Sequence, residues 1–134
     1  MKKVGIINAP ISAVIAGLGH NDLLAIVDAG YPIPASVQRI DLALEPGVPG
    51  FLQTLRVVLQ ELYVERYTLA EEIQQYSPQI QAGIQELLPE APARFIPHLS
   101  FKQEVLSVRA VIRTAEFTPY ANIILTAGVW GFKL

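Results

Sequence analysis

The stretch LGHNDLLAIVDAG, residues 18–30, holds the reading on which the fold turns. Leu23–Val27 is an unbroken apolar run. A strand with one wet face alternates apolar and polar residues, whereas a strand covered on both faces does not, so this run reads as a buried central strand. Upstream, Pro10–Leu18 sets Ile11, Val14, Ile15 and Leu18 at helical spacing, with Gly19 as the stop. Downstream, Asp28-Ala29-Gly30 leads into Tyr31–Pro34, where two prolines impose a rigid turn.

Working outward, Val4–Ile7 reads as a short strand. Gln38–Leu44 alternates, with Ile40, Leu42 and Leu44 on one side and Arg39 and Asp41 on the other, as a strand with unlike faces does. Pro46–Gly50 breaks the chain. A helix then runs to about Leu62, its apolar face drawn from Phe51, Leu55, Val58 and Leu62. Tyr63–Leu69 reads as a strand and Ala70–Tyr76 as a brief helical stretch. Ser77-Pro78 has the form of a helix start, and Ile80, Ile84, Leu87 and Leu88 keep helical spacing up to Pro89. Glu90–Pro97 is a connection with a brief strand at Phe95-Ile96. A short helix over Phe101–Leu106 and strands over Val108–Thr114 and Asn122–Thr126 complete the pattern. Strands alternating with helices predict a single α/β domain over residues 1–134, a mixed sheet flanked by helices. Ligands of such sheets sit where loops converge at strand ends. His20, Asp28 and Tyr120–Asn122 fall at element ends, an arrangement that allows them to meet.

Composition narrows the function. Half the residues are hydrophobic and only 16% charged, which fits one compact core with apolar surface left for contact between subunits. A net charge of −2 with no Lys/Arg cluster gives no drive toward nucleic acid or anionic membrane. No cysteine is present, which removes disulfides, thiolate catalysis and cysteine-bound metal. Nothing near Met1 has the form of a secretory signal, and no apolar run reaches the ~20 residues that span a bilayer. The expected compartment is the cytoplasm.

Familiar chemical motifs are missing. Gly17-Leu18-Gly19 ends a helix, whereas a dinucleotide fingerprint follows a strand and opens one. The two histidines lie far apart with no companion ligand at metal spacing, and no serine sits in a nucleophile elbow. His20, after a glycine stop and beside a buried strand, is placed either for proton transfer near neutral pH or to cap helix carbonyls. Asp28 ends an apolar strand, where a carboxylate serves as a hydroxyl acceptor or caps the Ala29–Pro34 turn. His98 follows Pro97 in a loop, and Lys102 lies on the short helix with a solvated face as its default. Tyr120-Ala121-Asn122 enters a strand directly after Pro119; the amide of Asn122 suits turn chemistry or hydroxyl recognition, because it both donates and accepts. Arg39 with Asp41, and Arg113 with Glu116, read as ion pairs or subunit contacts.

At these residues the sequence resembles the D-ribose pyranase and L-fucose mutarotase family, its ribose branch in particular. The stretches are LGHND (18–22), DAGYPIP (28–34), RIDLAL (39–44), GVPGFLQTL (47–55), LAEEI (69–73) and RTAEFTPYANIILTAGV (113–129). Gln74–Pro97 matches poorly; Leu99 stands where a glutamate commonly follows the second histidine, and Ala115 replaces a glycine. The resemblance implies His20 as the catalytic histidine, and Asp28, His98, Tyr120, Ala121 and Asn122 as sugar contacts, with Lys102 near the sugar. It further implies cofactor-independent interconversion of ring forms of free D-ribose and a role beside ribose uptake, supplying ribokinase. A ring-based homo-oligomer, often a decamer, with the site near a subunit boundary, is implied as well. Mutarotation of L-fucose or a related sugar needs the same chemistry in another pocket, and a non-catalytic sugar-binding accessory protein is the alternative of a different class. The tail Trp130–Leu134 is longer than usual and is placed to cover a neighbouring subunit.

Overall fold

The computed structural model describes residues 1–133. Its strands are β1 (Leu23–Val27), β2 (Gln38–Asp41), β3 (Val64–Ala70), β4 (Ala93–Ile96), β5 (Ala110–Arg113) and β6 (Ile123–Ala127). Its α-helices are α1 (Ala9–Gly17), α2 (Phe51–Leu59), α3 (Ile73–Tyr76), α4 (Pro78–Leu87) and α5 (His98–Glu104), the last continued by a 3₁₀ turn over Val105–Ser107. The strands make one sheet in the order β2-β5-β1-β6-β3-β4. β1 runs parallel to β5, β5 to β2, and β3 to β4, while β6 is antiparallel to both β1 and β3. Five strands therefore share one direction, and their carboxyl ends line one edge of the sheet.

The apolar run in β1 has its explanation here. Leu24 and Ile26 face a core shared with Ile11, Leu55 and Ile84 of α1, α2 and α4. Ala25 and Val27 face the other side, against Phe101 and Val105. Residues 24–27 are wholly buried. Leu24, Ile26 and Val27 each contribute about 1.5–3 kcal/mol over the exposed state. α1 starts where Asn8 Oδ1 accepts the Ile11 N–H at 3.0 Å, with a proline in its first turn.

Several expectations are corrected. Val4–Ile7 is not a strand: Gly5 turns the backbone to φ +76°, and only Ile6 goes inside, its N–H donated to Glu61 Oε1 at 2.7 Å. β2 stops at Asp41 because β5, its only neighbour among the described strands, ends opposite it at Arg113. α2 ends at Leu59, although Leu62 is still buried. α5 begins at His98, earlier than expected, so His98 opens a helix and is not in a loop. Its N–H is donated to the carboxylate of Glu72, at 2.8 and 3.1 Å, a cap supplied from 26 residues away.

Candidate active site

The candidate residues separate to opposite edges of the sheet. At the carboxyl edge, Asp28 leaves β1 and Asn122 enters the antiparallel β6 beside it. The buried Asn122 Oδ1 accepts the Asp28 N–H at 2.8 Å, which leaves the amide NH₂ as a donor. Asp28 Oδ1 accepts the Gly30 N–H at 3.0 Å, fixing the turn. Burial pushes the Asp28 carboxyl above the usual carboxylate value, against hydrogen bonds from Gly30 and the Asn122 amide. Tyr120 adopts φ +60°, and its carbonyl accepts the Asn122 N–H at 2.8 Å across the fully buried Ala121. The Tyr120 ring packs on that of Tyr76 at 5.4 Å.

His98 joins this group from the end of β4. Its ring stands edge-on to Tyr120 at 5.2 Å and to Tyr31 at 6.1 Å, and stacks on Phe101 at 6.2 Å. Two buried polar atoms here have no partner among the described residues, His98 Nδ1 and the Tyr31 hydroxyl. Unpaired buried groups are rare, and two neighbours so left mark a place that a ligand or ordered water satisfies. Burial, and after it the charge of Lys102, hold His98 below the ordinary histidine value. Lys102 lies one turn along α5 on the same face, half-buried. An open cleft of about 380 Å³, walled by Asp28, Gly30, Arg113, Phe117 and Pro119, runs beside Asp28. That volume lies within the ~300–1,000 Å³ range of small-molecule pockets.

His20 lies elsewhere. It sits in the turn before β1, exposed, with Nε2 3.1 Å from Glu65 Oε2. The whole of β1 separates it from Asp28, and five residues at ~3.3 Å each make a span of about 17 Å. The expected meeting of His20 with Asp28 and Asn122 therefore does not occur within one chain. The two flank a single strand, and a strand holds its ends apart.

Arg39 and Asp41 do pair, at 3.5 Å. Arg113 does not pair with Glu116: it reaches both Asp41 oxygens at 3.1 Å and donates to the Ala29 carbonyl. Glu116 instead accepts the Phe51 N–H at the start of α2. Three residues of this neighbourhood went unremarked in the sequence: Tyr31, Glu65 and Glu72. Tyr31 and Glu72 lie inside quoted stretches, but neither has a local signal pointing at His98. Among the described residues no group of three or more His, Asp or Glu is arranged to hold a metal. No described helix is long and apolar enough to cross a membrane. Trp130 packs on Tyr63 at 5.5 Å and stays exposed; Leu134, the end of the tail, lies outside the described residues.

Fold and site define a small α/β protein that gathers a carboxylate, an amide, an imidazole and aromatic rings at the carboxyl edge of its sheet. Residues 1–130 match the family described as the RbsD / FucU transport protein family, and the chain belongs to it. It is 54% identical to a D-ribose pyranase of Laribacter hongkongensis over 129 residues, 96% of this chain and 98% of that protein. Among solved structures it resembles Bacillus subtilis RbsD complexed with D-ribose, with a TM-score of 0.94 and 43% identity, covering 96% of this chain and 98% of that one. A fucose mutarotase from Streptococcus pneumoniae, solved in complex with L-fucose, shares the fold alone, with a TM-score of 0.78 and 21% identity over 92% of this chain and 94% of that one.

Proposed function

We propose that this protein is a cofactor-independent isomerase that interconverts the pyranose and furanose forms of D-ribose. The observation that carries the reading is the match over 129 residues, at 54% identity, to a protein named D-ribose pyranase. The carboxyl-edge cluster supports it with chemistry suited to a polyhydroxylated ligand. Asp28 accepts from a sugar hydroxyl, the Asn122 amide donates, and His98, Tyr120 and Lys102 contact the remaining oxygens around Ala121.

Ring opening needs two proton movements. The anomeric hydroxyl loses its proton, to Asp28 in this proposal, as the C1 carbonyl forms and the bond from C1 to the ring oxygen breaks. The ring oxygen takes a proton from the His20 imidazolium. Closure to the furanose reverses the traffic: the C4 hydroxyl attacks C1, His20 takes its proton, and the carbonyl oxygen recovers the one held by Asp28. Protons balance and nothing is oxidised. A placed acid/base of this kind is worth roughly 10²–10⁴-fold.

Because His20 and Asp28 occupy opposite sheet edges, His20 reaches the sugar from a neighbouring copy, and a homo-oligomer of the ring-based, decameric kind would supply it. A cytoplasmic setting fits a cysteine-free chain. NMR saturation transfer between ribopyranose and ribofuranose tests the activity. Exchange is expected to rise with added wild-type protein and to fall to the solvent rate in His20→Ala. Binding of ribose without faster exchange would sink the isomerase reading in favour of a sugar carrier.

A further inference from the structure

We propose that Glu65 is the positioning residue for His20, an inference that rests on the proposed role of His20 as acid and base. Glu65 Oε2 lies 3.1 Å from His20 Nε2. With Nε2–H donated to the carboxylate, Nδ1 is the atom left to face the sugar. It then donates a proton when the ring is charged and accepts one when it is neutral, while Nε2 keeps its own throughout.

The backbone is built to make this contact. Pairing of β3 with β6 shifts register between Val64, opposite Ala127, and Arg66, opposite Thr126, so Glu65 is the extra residue of a β-bulge. Bulges re-aim a side chain, and here the one re-aimed carries the carboxylate. Close packing beside the bulge depends on Gly128: a Cβ there would lie 3.1 Å from Glu65 Cβ and 2.7 Å from the Tyr63 ring. The histidine loop is tied to the same end of β6. Asn21 N–H is donated to the Ala127 carbonyl at 2.9 Å, and Ala127 N–H to that of Asp22 at 2.9 Å. Asp22 Oδ2 accepts the Gly19 N–H at 2.8 Å and closes the turn around His20. Arg66 bridges the two segments, donating to Glu65 Oε2 and to Asn21 Oδ1, each at 3.3 Å.

As a bare surface pair, His20 and Glu65 would be worth little. A bulge, a required glycine and a bridging arginine converging on it are more than a surface pair needs. Carboxylates that orient a metal-bound imidazole are worth about tenfold to a hundredfold in affinity or activity, and the same scale is expected of one that orients a proton-transferring imidazole. The test measures ribose exchange at saturating sugar, and ribose affinity by calorimetry, in the assembled wild type, Glu65→Ala and Glu65→Gln. Glu65→Ala is expected to lose about tenfold to a hundredfold in exchange, with affinity within about twofold of wild type, since the sugar-binding groups stand at the other edge. Glu65→Gln is expected to recover much of that loss, because its amide oxygen still accepts Nε2–H. Wild-type exchange in Glu65→Ala overturns the proposal, as does an affinity loss matching the rate loss, or a Gln variant no better than Ala. Failure of the wild type itself to speed exchange would instead remove the ribose reading on which this one stands.

Discussion

His98 shows how a single residue ties the site to pH. Its ring is packed among Tyr31, Phe101 and Tyr120, and burial together with Lys102 keeps it neutral to lower pH than a free histidine. A base whose folded-state value is depressed adds stability above its unfolded value of about 6.5, and that stability is lost as pH falls through the folded value. Wild-type denaturation midpoints are therefore expected to drop between pH 7.5 and 5.5, and His98→Gln to drop less. Equal slopes in the two proteins would show that His98 does not titrate in a buried site. Asp28, raised by burial, works in the opposite direction, since its contribution declines as pH climbs through its folded value. Asp28 is also held by a remote partner, because Asn122 Oδ1 accepts its backbone N–H from 94 positions away.

Among the elements, α5 carries two of the proposed sugar contacts. It presents His98 and Lys102 from one face and, among the described residues, takes its side-chain cap from Glu72, in the turn between β3 and α3. Losing a helix cap costs ~1 kcal/mol, within a range of about 0.5–2. Glu72→Ala is expected to lower stability by about that amount and to weaken ribose binding, read by thermal melts and calorimetry on one preparation. Unchanged affinity beside the lowered melt would mean that the cap holds the helix without holding the site. The element also marks where local pattern runs out. β1, α2 and α4 are readable because an unbroken apolar run in the first and helical spacing in the other two are written in consecutive residues. α5 starts earlier than its local pattern predicts because its cap, Glu72, comes from the turn after β3. Val4–Ile7, apolar but bent at Gly5, reads as a strand only until no neighbour is found for it.

For the whole molecule, the sheet sets how far apart the candidate residues stand. Five strands share a direction and gather Asp28, His98 and Arg113 at one edge, while His20 stays at the other. If neighbouring copies join these edges, His20→Ala and Asp28→Asn should each be inactive alone and complement each other when mixed. Random assembly in equal amounts would rebuild about a quarter of the sites with both groups intact, since symmetric interfaces draw one half from each copy. Subunits are unfolded and refolded together, and exchange is followed by NMR. No activity in the mixed assembly would confine the site to one chain and contradict the trans arrangement.

By itself the sequence determined the alternation of strands and helices, the buried place of β1, and the family. All of these are carried by short patterns or by motifs in fixed order, which survive without knowledge of what touches what. Tertiary structure alone decided that His20 and Asp28 stand a strand apart, that a bulge turns Glu65 toward His20, and that Glu72 caps α5. Those facts depend on hydrogen bonds and packing between residues tens of positions apart, and such contacts leave no trace in the spacing of neighbours along the chain.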